Sequence, residues 1–337
     1  MQTAGLELTT VSSKGFITGL CGLGGMRGDA RRDPVCRAGC GGDAAPSRPA
    51  ARVPLMDAVV LALFSAALFG GMTVALRPAI ARGDDPLVGA FYTVVPALFV
   101  ALVAAAIVGD WNVSAAWPFA LAGILGPGVS QVLFILAIRD AGPSRSSATV
   151  GMAPLFAVTF AVVLLGEPLV AGIALGAVLI VSGGVLLASE SGRPDHVKTI
   201  GLVFALAAAL VFAFRDTLVR WQAVDTEVAP ELAISATLLA GALTILIALI
   251  VSRRRPSVRS LPFFLPAGLM FGLSYVSLYE AFFRGRLSVV APLVATESLW
   301  GVGLSALFLR HIEGVGARLV VGALFVVAGG ILIGLSR

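Results

Sequence analysis

The chain has 337 residues, 58% of them hydrophobic and 13% charged, with a net charge of +5. A soluble domain is roughly a quarter charged and at most half apolar, so a soluble fold of this length has no interior large enough for these side chains. The apolar residues come in long blocks, which excludes a cytosolic enzyme and points to lipid as the solvent. The mild basic excess fits membrane loops and gives no reason to expect nucleic acid.

Residues 1–55 carry +3 of the charge and all three cysteines, Cys21, Cys36 and Cys40. The stretch is rich in Gly, Ala, Arg and Pro and has no helical or strand period, so it reads as a disordered tail or as an extension upstream of a start at Met56. Cys36 and Cys40 with Cys21 lack a fourth ligand, and neither His196 nor His311 is near in sequence, so no metal site and no cofactor is expected.

From Met56 the pattern changes. Ten hydrophobic blocks follow, near 57–76, 87–108, 117–138, 146–165, 169–188, 200–219, 230–252, 262–283, 287–309 and 317–335. Each approaches the ~20 residues a helix needs to cross ~30 Å of hydrocarbon. Their composition does not alternate, so a barrel is not expected. Short links such as Gly166-Glu167-Pro168 force neighbouring helices to run antiparallel.

The body also repeats itself. At an offset of 143, Leu61, Phe69 and Arg77 fall on Phe204, Phe212 and Arg220. At 144, Pro118, Gly128, Ser130 and Ala137 fall on Pro262, Gly272, Ser274 and Ala281. At 146, Glu167, Gly176, Gly183 and Gly184 fall on Glu313, Gly322, Gly329 and Gly330. A slowly drifting offset over five spans is the mark of a duplication. Five spans is an odd number, so the second copy, 199–337, must enter the membrane upside down relative to the first, 56–190. Inverted halves around a midplane site are the physical basis of alternating access. The expected fold is therefore an all-α polytopic membrane protein of ten helices in two inverted five-helix repeats.

The first copy closes with Ala153-Pro154, Leu165-Gly166-Glu167-Pro168-Leu169, Gly176 and Gly183-Gly184. The second closes with Pro292, Glu297-Ser298, Glu313, Gly322 and Gly329-Gly330. On these residues the body resembles the drug/metabolite transporter superfamily, specifically its EamA-like exporters. The fourth-helix Glu-Pro pair of the family is split here, with Pro154 in one copy and Glu297 in the other. The resemblance implies a cavity lined by helices 1, 3, 4, 6, 8 and 9, and efflux of a small organic metabolite, amino-acid-like or drug-like.

Among residues able to carry chemistry, Glu297 stands first. A charged carboxylate near the centre of its block costs about 2.5–3.5 kcal/mol on insertion scales, so it should face a cavity, a partner or a proton. It is the expected proton or cation site, against the alternative of a protonated carboxyl bonded to a neighbouring helix. Arg215 offers forked donors to a solute carboxylate, or else snorkels to headgroups; its neighbour Asp216 points about 100° away on a helix and makes a poor partner. Ser274, Tyr275 and Tyr279 share one face and would present hydroxyls, unless the tyrosines are interface anchors. Ser130 and Gln131 hold the matching third-helix positions, and Trp300 lies one turn from Glu297. Glu280 and Arg284 are spaced for a salt bridge. Glu167 and Glu313 read as caps, and Gly172, Gly176, Gly183, Gly322 and Gly329 as close helix contacts, within one protomer or between two in a homodimer.

No nucleotide, zinc-protease or serine-hydrolase motif is present, in keeping with a carrier and not an enzyme. The loop arginines concentrate in the odd-numbered links, Arg145 and Arg253-Arg254-Arg255 among them, and the positive-inside rule then puts both termini outside. Expected partners are a small-molecule solute and membrane lipid, and the expected location is the plasma membrane, a bacterial inner membrane. The alternative is a membrane subunit or scaffold that transports nothing.

Overall fold

The computed structural model describes residues 55–165, 171–188, 198–223, 226–285, 290, 293–309 and 316–336. The tail and its cysteines, Glu167 and Glu313 lie outside the described residues.

Every described element is helical: α1 (Leu55–Ile80), α2 (Pro86–Val108), α3 (Pro118–Ala141), α4 (Pro143–Val150), α5 (Ala153–Leu165), α6 (Ala171–Ala188), α7 (Thr199–Ala223), α8 (Pro230–Val251), α9 (Leu261–Arg284), α10 (Glu297–Phe308) and α11 (Ala317–Leu335). Six of these stretches are long and apolar enough to cross a membrane, the shortest 22 residues and therefore about 33 Å long. The expected ten unbroken spans are not reproduced. The fourth block is split into α4 and α5 by a turn at Gly151 and Met152, so that among the described residues eleven helices of eight or more residues stand where ten were expected. The ninth block is broken at the equivalent place. Ala295 and Thr296 form a turn, and α10 starts at Glu297, 144 residues after the start of α5.

Local sequence sets the ends of these helices. Asp85 caps α2 by accepting a bond from the Leu87 amide at 2.9 Å, Pro86 supplies the first helical φ, and Gly109 closes the helix with φ 74°. Gly142, at φ 84°, turns the chain from α3 into α4. The interior is built from small residues: Ala62, Ala66, Ala97, Ala101, Ala205, Ala208 and Ala209 are all fully buried. Large apolar side chains such as Phe99, Ile107, Ile250 and Val251 face outward. Phe119, Phe134, Phe264, Phe271 and Phe282 are also fully buried. Lipid is as apolar as leucine, so van der Waals packing and close backbone approach hold the helices together here.

The packing carries the duplication. α1 lies along α9, and its equivalent α7 along α3; α2 meets α9 as α8 meets α3. α6 and α11 pair with each other, and so do α2 and α8. In the α6–α11 pair Gly176 faces the Gly329 carbonyl and Gly183 faces the Gly322 carbonyl, so the two equivalent helices run antiparallel. The α3 and α9 contacts match almost atom for atom. Gly268 packs on the Thr93 carbonyl and Gly272 on Val100; Gly123 packs on the Thr237 carbonyl and Gly128 on Thr244. The glycines are four residues apart in α9 and five in α3. The extra residue is taken up by a π-helical turn, Ile124–Ser130, around Pro127.

Candidate functional site

Where α1, α7 and α9 meet the two chain breaks lies a cavity of about 50 Å³. Its floor is aromatic. Phe69 of α1 and Phe212 of α7, repeat equivalents at an offset of 143, meet edge to face with centroids 5.9 Å apart. Phe271 and Tyr275 of α9 continue the cluster at 4.5 Å. On one side Ser65 and Ser274 hold α1 to α9 by reciprocal bonds, each hydroxyl donating to the other residue's carbonyl at 2.9 Å.

The charged groups line the same cavity. Arg215 is 3% exposed. Its Nε lies 2.9 Å from Asp216 Oδ1. Adjacent helical residues were expected to diverge; the long arginine folds back onto its neighbour instead. The guanidinium carbon sits 4.9 Å from the Tyr275 ring centroid and 5.4 Å from that of Phe212, within cation–π range. Arg215 Nε and Nη1 and the Tyr275 hydroxyl make no hydrogen bond within the protein. Gly126, in the π turn, makes room for the arginine stem: a Cβ there would stand 3.0 Å from Arg215 Cγ.

Glu297 completes the site, within electrostatic reach of Arg215 and Asp216. The sequence placed it in mid-span; the structure places it at the first residue of a half-helix. The positive end of such a half-helix is a natural seat for a carboxylate. Across the cavity Ala153 opens the matching half-helix, α5, followed by Pro154.

Four of the sequence candidates, Glu297, Arg215, Ser274 and Tyr275, thus line one cavity. The other four stand elsewhere. Ser130 donates to the Gly126 carbonyl of its own helix. Gln131 is fully buried, with neither amide atom hydrogen-bonded. Tyr279 stacks on Tyr275 at 6.0 Å and donates to Thr237 Oγ1 at 3.0 Å. Trp300 is 44% exposed, on the outer face of α10. The Arg284–Glu280 ion pair forms as spaced.

Sequence reasoning left out Ser65, Phe69, Phe212 and Asp216, which also line the cavity. The offset that equates Phe69 with Phe212 was their visible signal. It also misplaced Arg145, counted among loop charges because Gly142-Pro143 looks like a link. The side chain is 1% exposed, on the buried helix α4.

Residues 56–189 match the EamA-like transporter family. Over that stretch the chain is similar to a family of the drug/metabolite transporter superfamily. With six described helices long and apolar enough to cross a bilayer, it is a multi-pass membrane protein. One solved crystal structure resembles this EamA-like chain with a TM-score of 0.60 at 21% identity, over 83% of this chain and 97% of the other. That likeness is one of fold. No curated protein matches the chain.

Proposed function

We propose that this EamA-like protein moves a small zwitterionic, amino-acid-like solute across the plasma membrane by alternating access, outward and coupled to protons. The observation that carries the reading is the pairing of opposite chemistries across one cavity. Arg215, whose Nε is ion-paired with Asp216, still presents Nη1 without a hydrogen-bond partner in the protein, suited to a carboxylate. Glu297, at a half-helix start, presents a carboxyl suited to an ammonium group or a proton. Tyr275 and the aromatic floor flank the space between them. At about 50 Å³ the cavity has room for a few waters only, so admitting a metabolite requires the helices to part.

The test has two steps. Metabolites in the medium of overexpressing cells are compared with those of cells carrying Glu297→Gln, which names a solute. Flux of that solute into proteoliposomes is then followed with and without a pH gradient. Glu297→Gln should abolish the gradient's effect, and Arg215→Gln should abolish flux of the carboxylate-bearing solute. Unchanged gradient-driven flux in Glu297→Gln removes the coupling role.

A further inference from the structure

The cavity straddles the internal two-fold, since Phe69 and Phe212, Val150 and Val294, and Ala153 and Glu297 are repeat equivalents that line it together. Other lining residues have their equivalents elsewhere: Pro154 corresponds to Ser298 and Ala157 to Gly301 at an offset of 144, and Ala213 to Gly70 at 143. In the structure Gly70, Ser298 and Gly301 sit in close helix contacts with no void between them. A Cβ on Gly70 would stand 2.6 Å from Trp300 Cβ and 2.8 Å from the Gly301 nitrogen. Gly151 packs on Ser298, and Gly301 on the Ser147 hydroxyl. These contacts set α4 against α10 in an antiparallel register, which brings Ser144 level with Ser305 one turn further on.

This closed zone is polar in an unusual way. Elsewhere in the spans, hydroxyls are satisfied by the carbonyl four residues back, as for Thr73, Thr93, Thr217 and Thr244. Ser144, Ser147 and Ser305 are at most 2% exposed and have no hydrogen-bond partner. Each buried unsatisfied group of this kind costs about 1–3 kcal/mol. Such a cluster is costly in a lipid-embedded seam unless it meets water or a solute in another state.

We infer that the α4–α10 seam is the collapsed second half of the solute's path, a polar site lined by Ser144, Ser147 and Ser305 that opens as the present cavity closes. It takes the same hydrogen-bonding solute and rejects a purely lipophilic one. This rests on the alternating-access reading above and adds to it the location and chemistry of the other face.

Single cysteines at Ser147 and at Leu278, which lines the present cavity, are introduced into the full chain with Cys21, Cys36 and Cys40 changed to serine. They are labelled with a membrane-impermeant charged maleimide, in right-side-out and inside-out vesicles. Each should react from one face only, and the two from opposite faces. Gly151→Ala, whose Cβ would stand 2.7 Å from Ser298 Cβ, should then act as a wedge between α4 and α10. Labelling at Ser147→Cys should rise tenfold or more, and labelling at Leu278→Cys should fall. Both rates rising together, or neither changing, would mean static packing and overturn the inference. Reaction of Leu278→Cys from both faces, or from neither, would instead sink the carrier reading. A second arm avoids the wedge. Ser147→Ala with Ser305→Ala removes two unsatisfied hydroxyls, so the protein should melt no lower than the parent, while proteoliposome flux falls at least fivefold. Unchanged flux overturns the inference.

Discussion

The two glycine crossings of α6 and α11 make a prediction whose size follows from geometry. A Cβ on residue 183 would stand 2.6 Å from the Gly322 carbonyl oxygen and 3.1 Å from the Val326 nitrogen, both backbone atoms. Ordinary contact begins at 3.4 Å, so Gly183→Ala must push the helices apart by 0.8 Å at that level. Overpacking of this kind costs about 1–3 kcal/mol. Gly329→Ala meets the Gly176 carbonyl at 2.5 Å and should cost as much. Together the two should cost less than their sum, because the first substitution already opens the shared helix pair. One control separates this from a general dislike of alanine. Gly303 has nothing within 4 Å of its Cβ position. Gly303→Ala should stabilise slightly, since alanine is favoured over glycine inside a helix by roughly 0.5–1 kcal/mol. The assay is the thermal midpoint of the purified protein in one detergent. Gly183→Ala and Gly329→Ala should melt several degrees below the parent, Gly303→Ala at or above it. Equal midpoints for Gly183→Ala and Gly303→Ala would refute the packing argument.

Two further outcomes follow from the site. Arg215→Ala strips Asp216 of its counter-charge inside a span and should destabilise by about 3–5 kcal/mol; Arg215→Met with Asp216→Leu should recover most of the melting temperature but no flux. Ser65→Ala and Ser274→Ala each remove one of the two hydroxyl-to-carbonyl bonds and should cost about 0.5–1.5 kcal/mol, while the other bond, which ends on a backbone carbonyl, survives. The double variant should therefore cost close to the sum of the singles, read as a double-mutant cycle in melting temperature.

Much of the fold was legible because lipid imposes long apolar blocks and close helix crossings impose glycine at a fixed offset. Gly176 with Gly322 and Gly183 with Gly329 could be paired on spacing alone, and in the structure the α6–α11 crossing uses all four. The breaks at Gly151–Met152 and Ala295–Thr296 were not legible, since an apolar run reads the same whether continuous or cut. Glu297 therefore drew notice for its depth, while its place at a half-helix start stayed hidden. Arg145 was lost for the converse reason: a Gly-Pro start and three serines look like a loop, and only tertiary packing reveals a buried helix. Tyr279 and Trp300 share sequence proximity with true cavity residues but sit a fraction of a turn away, beyond what spacing resolves.

The duplication governs the scaffold far more tightly than the chemistry. The helix contacts survive exchange of the two repeats, yet the charged groups at the centre do not. Arg215 and Asp216 correspond to Met72 and Thr73 at an offset of 143, Tyr275 and Glu297 to Gln131 and Ala153 at 144. The second repeat thus supplies the ionisable groups of the cavity, and the first supplies the α4 serines of the collapsed seam. A fully symmetric carrier would hold its solute equally well in both orientations. Here one orientation offers Arg215, Asp216 and Glu297 together, and the other offers hydroxyls on a helix that also carries the buried Arg145. On the proposed mechanism the solute therefore meets charges of both signs on one face and hydroxyls on the other. That difference in affinity is what a coupled proton at Glu297 would have to work against, or with, to give transport a direction.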